Sequence, residues 1–162
     1  MDCEINNLTL ESILEKKQKI LFTQYIWRNG KLRMLKIGVL GGDEVSHAHL
    51  SVLQDLNIFD ITGFYAPDEK NASNILSKFN VAQFSDIETL IQKSDVIDIA
   101  SSSVPHYKCA ELTLKKTKHL FIENPVTSTI DEARKLLNLT HEADVKVQIG
   151  NVERFNPAFT AL

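Results

Sequence analysis

Short apolar runs alternate with longer stretches of helical periodicity from Met34 onward. Runs of this length, bounded by turn residues, are typical of strands that are buried in a parallel sheet. The predicted strands are Leu35–Leu40, Phe59–Tyr65, Ala82–Phe84, Asp95–Ala100, His119–Ile122 and Val145–Ile149. Because helices separate these strands, the sequence predicts an α/β fold with a doubly wound, mostly parallel sheet that is covered on both faces.

Local capping signals set the predicted helix boundaries. Ser85 with Glu88, and Thr129 with Glu132, have the spacing of a capping box at the start of a helix. Asp68 is interpreted as a residue that caps or charges the start of the second helix. The predicted helices are Ser46–Leu56, Pro67–Lys78, Ser85–Lys93, His106–Thr117 and Thr129–Ala143.

Residues 1–33 precede the alternating pattern and differ from it in charge. They contain six basic and four acidic residues, whereas the other 129 residues contain 12 basic and 17 acidic ones. Apolar residues recur at helical spacing from Leu10 to Tyr25, which predicts an N-terminal amphipathic helical extension to a domain that starts at Met34. Lysines at positions 16, 17 and 19 interrupt the apolar core that a secretory signal needs, so a cytoplasmic location is expected.

Composition excludes several classes of protein. The net charge of −3 gives no reason to expect nucleic acid as a partner. No window approaches the ~18 consecutive apolar residues of a membrane span. Cys3 and Cys109 are too few for a disulfide framework. His47 and His49 lack a third ligand, so no metal site is predicted.

The segment after the first predicted strand departs from a dinucleotide-binding fingerprint. That fingerprint is G-x-G-x-x-G, in which the glycines allow a tight turn, close approach of the pyrophosphate and close helix packing. Gly41 matches the first glycine, whereas Asp43 and Ser46 stand at the second and third positions. This segment alone does not distinguish a nucleotide site from a plain strand-to-helix turn.

The ends of the other strands carry further candidate ligand-binding residues, because sheets of this kind bind ligands at the carboxyl ends of their strands. The second strand leads to Ala66, and the fourth leads to Ser101, Ser102 and His106. The serine hydroxyls either bind a ligand or turn the chain. The fifth strand is followed by Glu123-Asn124-Pro125, and the sixth by Gly150 and the segment from Asn151 to Pro157.

The stretches H-L-F-I-E-x-P and V-E-R-F-N-P, with the order of elements, resemble the glucose-fructose oxidoreductase / inositol dehydrogenase (Gfo/Idh/MocA) family over Leu35 to Leu162. The resemblance implies an N-terminal Rossmann domain that binds NAD or NADP and a C-terminal α/β domain with a large open sheet. It also implies hydride transfer to or from a sugar, nucleotide sugar or cyclitol. His106, Glu123 and Pro125 match family landmarks, as does Arg154.

The resemblance assigns a set of cofactor-binding candidates. They are Gly41, Gly42, Asp43, Glu44, Val45, Ala66, Ser101, Ser102, His106, Glu123 and Asn124. Asn124 stands where the family has a lysine that helps proton transfer, and its amide has no titratable group. Loss of such help typically lowers rates ~10²–10⁴-fold, so no catalytic residue is predicted. Asp43 repels a pyrophosphate, which is expected to weaken cofactor binding rather than abolish it. Ala66 replaces the usual acid, so the sequence does not distinguish NAD from NADP as the cofactor.

The predicted domains are the extension 1–33, a Rossmann domain 34–155, and 156–162 as the start of a crossover to a substrate domain that the sequence does not contain. The expected function is that of a dinucleotide-binding domain that is inactive alone. A small-molecule substrate, or the family's homo-oligomer, is expected only with the second domain. No nucleic acid or membrane partner is expected. The alternative is a non-catalytic remnant or interaction module that no longer binds the cofactor.

Overall fold

The computed structural model describes residues 27–28, 31–32, 34–56 and 59–160. Met34–Gly150 forms a compact unit that is built on a parallel sheet. The strands are β1 (Trp27–Arg28), β2 (Lys31–Leu32), β3 (Leu35–Leu40), β4 (Phe59–Tyr65), β5 (Val96–Ile99), β6 (His119–Ile122) and β7 (Val147–Ile149). The helices are α1 (Glu44–Asp55), α2 (Glu69–Lys78), α3 (Ile87–Lys93), α4 (His106–Lys115), α5 (Ile130–Ala143) and α6 (Pro157–Thr160).

The strand order of the sheet is β4-β3-β5-β6-β7, and every neighbouring pair is parallel. The chain therefore passes from β3 to β4 on one side of β3, and β5 later pairs with the other side of β3. Because such crossovers are right-handed, this reversal of direction places helices on opposite faces of the sheet. The prediction of an α/β, doubly wound parallel sheet is confirmed.

The predicted strand Ala82–Phe84 is wrong as a full strand. Within the described residues it is reduced to a single bridge between Gln83 and Phe64, so the sheet there has five strands rather than six. Phe64 donates its backbone N–H to the Ala82 carbonyl at 2.9 Å and accepts from Phe84 at 2.8 Å. Gln83 and Ala82 are exposed, so this short segment gains little from burial.

A β-bulge interrupts the pairing of β3 with β4. Ile37 pairs with Ile61, but the next residue, Gly38, pairs with Gly63, so Thr62 is the extra residue. Gly63 has a φ of +149°, which side chains rarely adopt, and a Cβ there would overlap the carbonyl of Ala82. Glycine is therefore required where the segment around Gln83 crosses the bulge.

The helix starts follow side-chain capping. Thr129 and Glu132 form the predicted capping box of α5, with reciprocal side-chain bonds to backbone N–H groups. Asp68 caps α2 and accepts from the backbone N–H of Asn71 at 2.8 Å, as predicted. The predicted box at Ser85 is wrong, because the cap of α3 is the next residue, Asp86.

The apolar core lies between the sheet and its helices. Its fully buried members include Leu40 from β3, Leu90 from α3, Ile97 and Ile99 from β5, and Leu114 from α4. All four residues of β5 are buried, which its central position requires. The long apolar runs of the sequence thus correspond to strands that are covered on both faces.

The described elements outside Met34–Gly150 are short. Strands β1 and β2 form an antiparallel pair inside the predicted helical extension, and the predicted helix from Leu10 to Tyr25 lies outside the described residues. Residues Val152–Phe155 form one 3₁₀ turn, which is followed by α6. No helix in the described ranges is long and apolar enough to cross a membrane.

The corrected cap of α3 gives a test. Asp86 accepts from the backbone N–H of Thr89 at 2.7 Å and from its hydroxyl at 2.6 Å. We expect Asp86→Ala to lower the urea midpoint of unfolding, because a helix N–H loses its partner. The matched control Ser85→Ala should leave the midpoint near that of the wild type. A larger loss in Ser85→Ala would restore the box at Ser85.

Candidate functional site

The strand ends of the parallel sheet meet at one edge, where the hydrogen-bond ladder continues one residue past each strand. The bonds are Gly41 N to Tyr65 O (2.8 Å), Ala100 N to Leu40 O (3.1 Å), Glu123 N to Ile99 O (3.0 Å) and Gly150 N to Ile122 O (2.7 Å). The loops after β3, β5, β6 and β7 therefore start side by side. Most of the predicted site residues lie in these loops.

The turn after β3 is tightly packed. Gly41 has a φ of +141°, and a Cβ there would overlap the side chains of Ser46 and Ser101. A Cβ on Gly42 would lie 2.8 Å from the Cβ atoms of Ala66 and Asn71. Both glycines are therefore needed for the close approach of this turn to its neighbours, as the fingerprint requires of its first glycine.

Asp43 caps α1 from the position of the second fingerprint glycine. Its Oδ1 accepts from the backbone N–H of Ser46 at 3.3 Å. The Ser46 hydroxyl lies 3.3 Å from the same oxygen and 2.8 Å from the Ala100 carbonyl oxygen, to which it can also donate. Asp43 therefore satisfies part of the helix N-terminus, where unpaired N–H groups and the helix dipole favour an anion.

The second carboxylate oxygen of Asp43 reaches the loop after β5. Oδ2 accepts from the Ser101 hydroxyl at 2.7 Å and from the Ser102 backbone N–H at 3.1 Å. Burial alone would raise the pKa of Asp43, but the hydrogen bonds from Ser101, Ser46 and Ser102 outweigh it and hold the pKa below its usual range. The group is thus an anion that joins the loops after β3 and β5.

His106 joins the loop after β5 to the loop after β6. One ring nitrogen, Nε2, lies 2.6 Å from the carbonyl oxygen of Ser101, and Nδ1 lies 2.6 Å from that of Pro125. Both partners only accept hydrogen bonds, and a neutral imidazole can donate to just one of them. His106 thus lies between the carbonyl groups of the two loops.

A buried ion cluster lies behind these loops. His49 on α1 places Nδ1 2.8 Å from Asp98 Oδ2 in β5, and Nε2 3.5 Å from Glu123 Oε1 after β6. The first contact is a short hydrogen bond, and the second is an ion pair beyond ordinary hydrogen-bond length. The side chains of His49 and Asp98 are each 5% exposed.

The cluster is electrostatically coupled. Burial alone would lower the pKa of His49, but the charges of Asp98 and Glu123 and their contacts with the ring raise it to about 10. In turn, the contact with His49 holds the pKa of Glu123 below its usual range. His49 is therefore an imidazolium at neutral pH, and it fixes the orientation of Glu123.

Sequence reasoning missed this cluster. It considered His49 only as a metal ligand, and Asp98 only as part of an apolar strand. A signal was available, because Asp98 interrupts a run of apolar residues that is buried on both faces. A buried carboxylate needs a charged or hydrogen-bonding partner, and a histidine on the adjacent helix can supply one.

Asn124 and Gly150 link the loops after β6 and β7. The Asn124 side-chain amide donates to the Gly150 carbonyl at 2.7 Å. A Cβ on Gly150 would overlap the carboxylate of Glu123, so the absence of a side chain there leaves room for Glu123. Asn124 thus has a structural contact where the resembling family has a proton-transferring lysine.

The remaining candidates have few polar contacts. Glu44 and Val45 lie in the exposed first turn of α1. Ala66 is buried at the end of β4 and presents no acid there. A cleft of about 320 Å³ opens beside the site, between the start of α4 and the loop that precedes α5. Its lining includes Ser102, Pro105, His106, Pro125, Thr127 and Glu132.

Among the described residues, no group of three or more His, Cys, Asp or Glu side chains is arranged to hold a metal ion.

The buried cluster predicts a pH-dependent contribution to stability. His49→Gln should lower the free energy of unfolding at pH 7 by about 3–5 kcal/mol, because Asp98 and Glu123 lose their buried partner. The pKa of His49 is higher in the folded state (about 10) than in an unfolded chain (about 6.5). The advantage of the wild type is therefore full below about pH 6.5 and should shrink as the pH rises toward 10.

Urea unfolding at several pH values measures this difference. The control is His47→Gln on the same helix, where the ring packs edge-on against Phe79 with the ring centroids 5.5 Å apart. A loss of stability in His49→Gln that matches the control, or that does not change with pH, would contradict the ion cluster.

Comparisons with known proteins agree with this architecture. The sequence model of the Gfo/Idh/MocA oxidoreductase family, NAD-binding Rossmann fold, matches residues 35–151. Glucose-6-phosphate 3-dehydrogenase of Bacillus subtilis is 26% identical, over 72% of this chain and 33% of that protein. UDP-N-acetylglucosamine 3-dehydrogenase of Acidithiobacillus ferrooxidans is 22% identical, over 79% of this chain and 40% of that protein.

A solved structure shares the fold. Biliverdin reductase of Synechocystis, crystallised with biliverdin and NADP⁺, superposes with a TM-score of 0.74 at 20% identity, over 80% of this chain and 42% of that one. The chain thus spans about two fifths or less of the length of these relatives. On the family match and the site geometry together, the chain belongs to the Gfo/Idh/MocA oxidoreductase family, with its NAD-binding Rossmann fold.

Proposed function

We propose that this chain binds NAD(H) or NADP(H) at the carboxyl edge of its sheet, as the dinucleotide-binding part of a sugar or nucleotide-sugar dehydrogenase. The observation that carries the proposal is the meeting of the Gly41 turn, the Ser101–Ser102 loop and the Glu123–Asn124 loop at one sheet edge. In doubly wound sheets, ligands bind in the crevice where the strand order reverses. Here that crevice lies between β3 and β5.

The glycine turn of the crevice suits a dinucleotide in part. Gly41 and Gly42 keep the backbone of the turn free of side chains. The first turn of α1 directs N–H groups toward the crevice, as a pyrophosphate site requires. A departure beside these N–H groups is Asp43, whose carboxylate accepts from one of them, that of Ser46.

The candidate residues would have separate roles. Gly41, Gly42 and the first turn of α1 would hold the phosphates, and Ser101 and Ser102 would offer hydroxyl and N–H donors. A bound nicotinamide would supply hydride transfer. His49 keeps Glu123 ionised and oriented beside the Asn124 loop.

Proton transfer is the weak step of this site. Asn124 cannot take up or release a proton, and its amide donates to Gly150. We propose that turnover by this segment alone is negligible and that a small-molecule substrate needs a further domain. The names of two relatives, which act on glucose 6-phosphate and UDP-N-acetylglucosamine, support a sugar as the class of substrate.

We further propose the domain division 34–155 for dinucleotide binding, with 1–33 as an extension and 156–162 as the start of a crossover. A family-type homo-oligomer, nucleic acid and membranes are not expected as partners. We propose a cytoplasmic location, because lysines at positions 16, 17 and 19 interrupt the apolar run that a secretory signal needs.

Cofactor titration tests the proposed function. NADH and NADPH should each change their fluorescence on binding to the wild-type chain at submillimolar or millimolar concentration. Ser102→Asp should weaken this binding at least ~10-fold, because it adds a second carboxylate beside Asp43. The matched control Ser77→Asp, on the exposed side of α2, should bind like the wild type.

Asp43 and Asn124 favour one other function, a non-catalytic module that no longer binds the cofactor. The same titration separates the two. If neither NADH nor NADPH binds at millimolar concentration to the folded wild type, the dinucleotide proposal fails and the module remains.

A further inference from the structure

The start of α1 is an anion position that already contains an anion. Ser46 donates its backbone N–H to Asp43 Oδ1 at 3.3 Å. In a dinucleotide-binding turn this is where phosphate oxygens meet helix N–H groups and the positive end of the helix dipole. A carboxylate from the chain itself therefore stands where the ligand's charge would be stabilised.

The same carboxylate also crosses the crevice. Its Oδ2 accepts from the Ser101 hydroxyl at 2.7 Å and from the Ser102 N–H at 3.1 Å, on the far side of the gap between β3 and β5. The donors that could face a bound phosphate from that side are thus used by Asp43. Asp43 thus ties the two walls of the crevice together.

Helix capping alone does not explain these contacts. Asp68 and Asp86 also cap helices, and they accept hydrogen bonds from Asn71 and Thr89, which lie three residues further along on the same helix. Asp43 caps in the same way but also binds residues 58 and 59 positions further along the chain. The additional contacts are a property of the crevice.

We infer that Asp43 is an internal competitor of the cofactor: its carboxylate occupies the phosphate position at the start of α1 and holds the crevice between β3 and β5 closed. This inference rests on the proposed function, since it assumes that a dinucleotide enters the same crevice. Binding must then displace the carboxylate from Ser46, Ser101 and Ser102. Affinity is set by that displacement as well as by contacts with the cofactor.

Removing the carboxylate should strengthen cofactor binding. Asp43→Gly restores the glycine of the fingerprint, and Asp43→Asn removes the charge while keeping a good helix cap. We expect both variants to bind NADH or NADPH at least ~10-fold more tightly than the wild type, because a carboxylate near a phosphate is strongly repulsive. Asp86→Asn is the matched control at another capped helix and should bind like the wild type.

The measurements are fluorescence titration with NADH and NADPH and thermal unfolding with inorganic pyrophosphate. Pyrophosphate should raise the melting temperature of the Asp43 variants more than that of the wild type, since only the variants offer an open anion position. If Asp43→Gly fails to fold, Asp43→Asn decides the question, because it keeps the cap.

Each outcome is decisive. Tighter binding in the Asp43 variants supports the inference, whereas equal or weaker binding overturns it and leaves the proposed function standing if the wild type binds. If no variant binds either dinucleotide, the proposed function fails and pyrophosphate decides the inference. A larger shift in the Asp43 variants then supports the internal anion, and equal shifts overturn it.

Discussion

The parallel hydrogen-bond register of the sheet is the constraint on which the rest of the structure depends. It extends one residue past β3, β5 and β6, so that Gly41, Ala100 and Glu123 start their loops at matching heights. A one-residue slip of a strand would move its side chains to the other face and its loop away from the others. The contact of Asp43 with Ser101, and that of Asn124 with Gly150, both require this alignment.

The buried ion cluster adds a second tie, from helix to sheet. His49 reaches β5 through Asp98 and the loop after β6 through Glu123, so one imidazolium holds α1 to a strand and to a neighbouring loop. Buried charges of this kind add little net stability relative to apolar packing, but they tolerate few alternative arrangements. The cluster therefore sets the position of the Glu123 loop relative to the start of α1.

The fold could be predicted because its signals are local. The capping box of Thr129 and Glu132 and the apolar runs act within a few residues. Ser85 and Asp86 are adjacent residues of types that cap helices, and their spacing in the sequence does not show which of them is the cap. The site could be predicted only in part. Its loops follow from the strand ends, but Asp43 has partners 58 and 59 residues away, and nothing in the local sequence indicates which loop its carboxylate meets.

The bulge at Thr62 has a consequence for what the end of β4 presents to the glycine turn. Side chains alternate between the faces of a strand, so one extra residue reverses the alternation for everything that follows. With the extra residue in place, Ala66 lies beside Gly42. Without the extra residue, the alternate set of side chains would face the turn. The bulky Tyr65 belongs to that set. The inserted residue in the middle of the strand thus selects a methyl group as the neighbour of a glycine that has no room for anything larger.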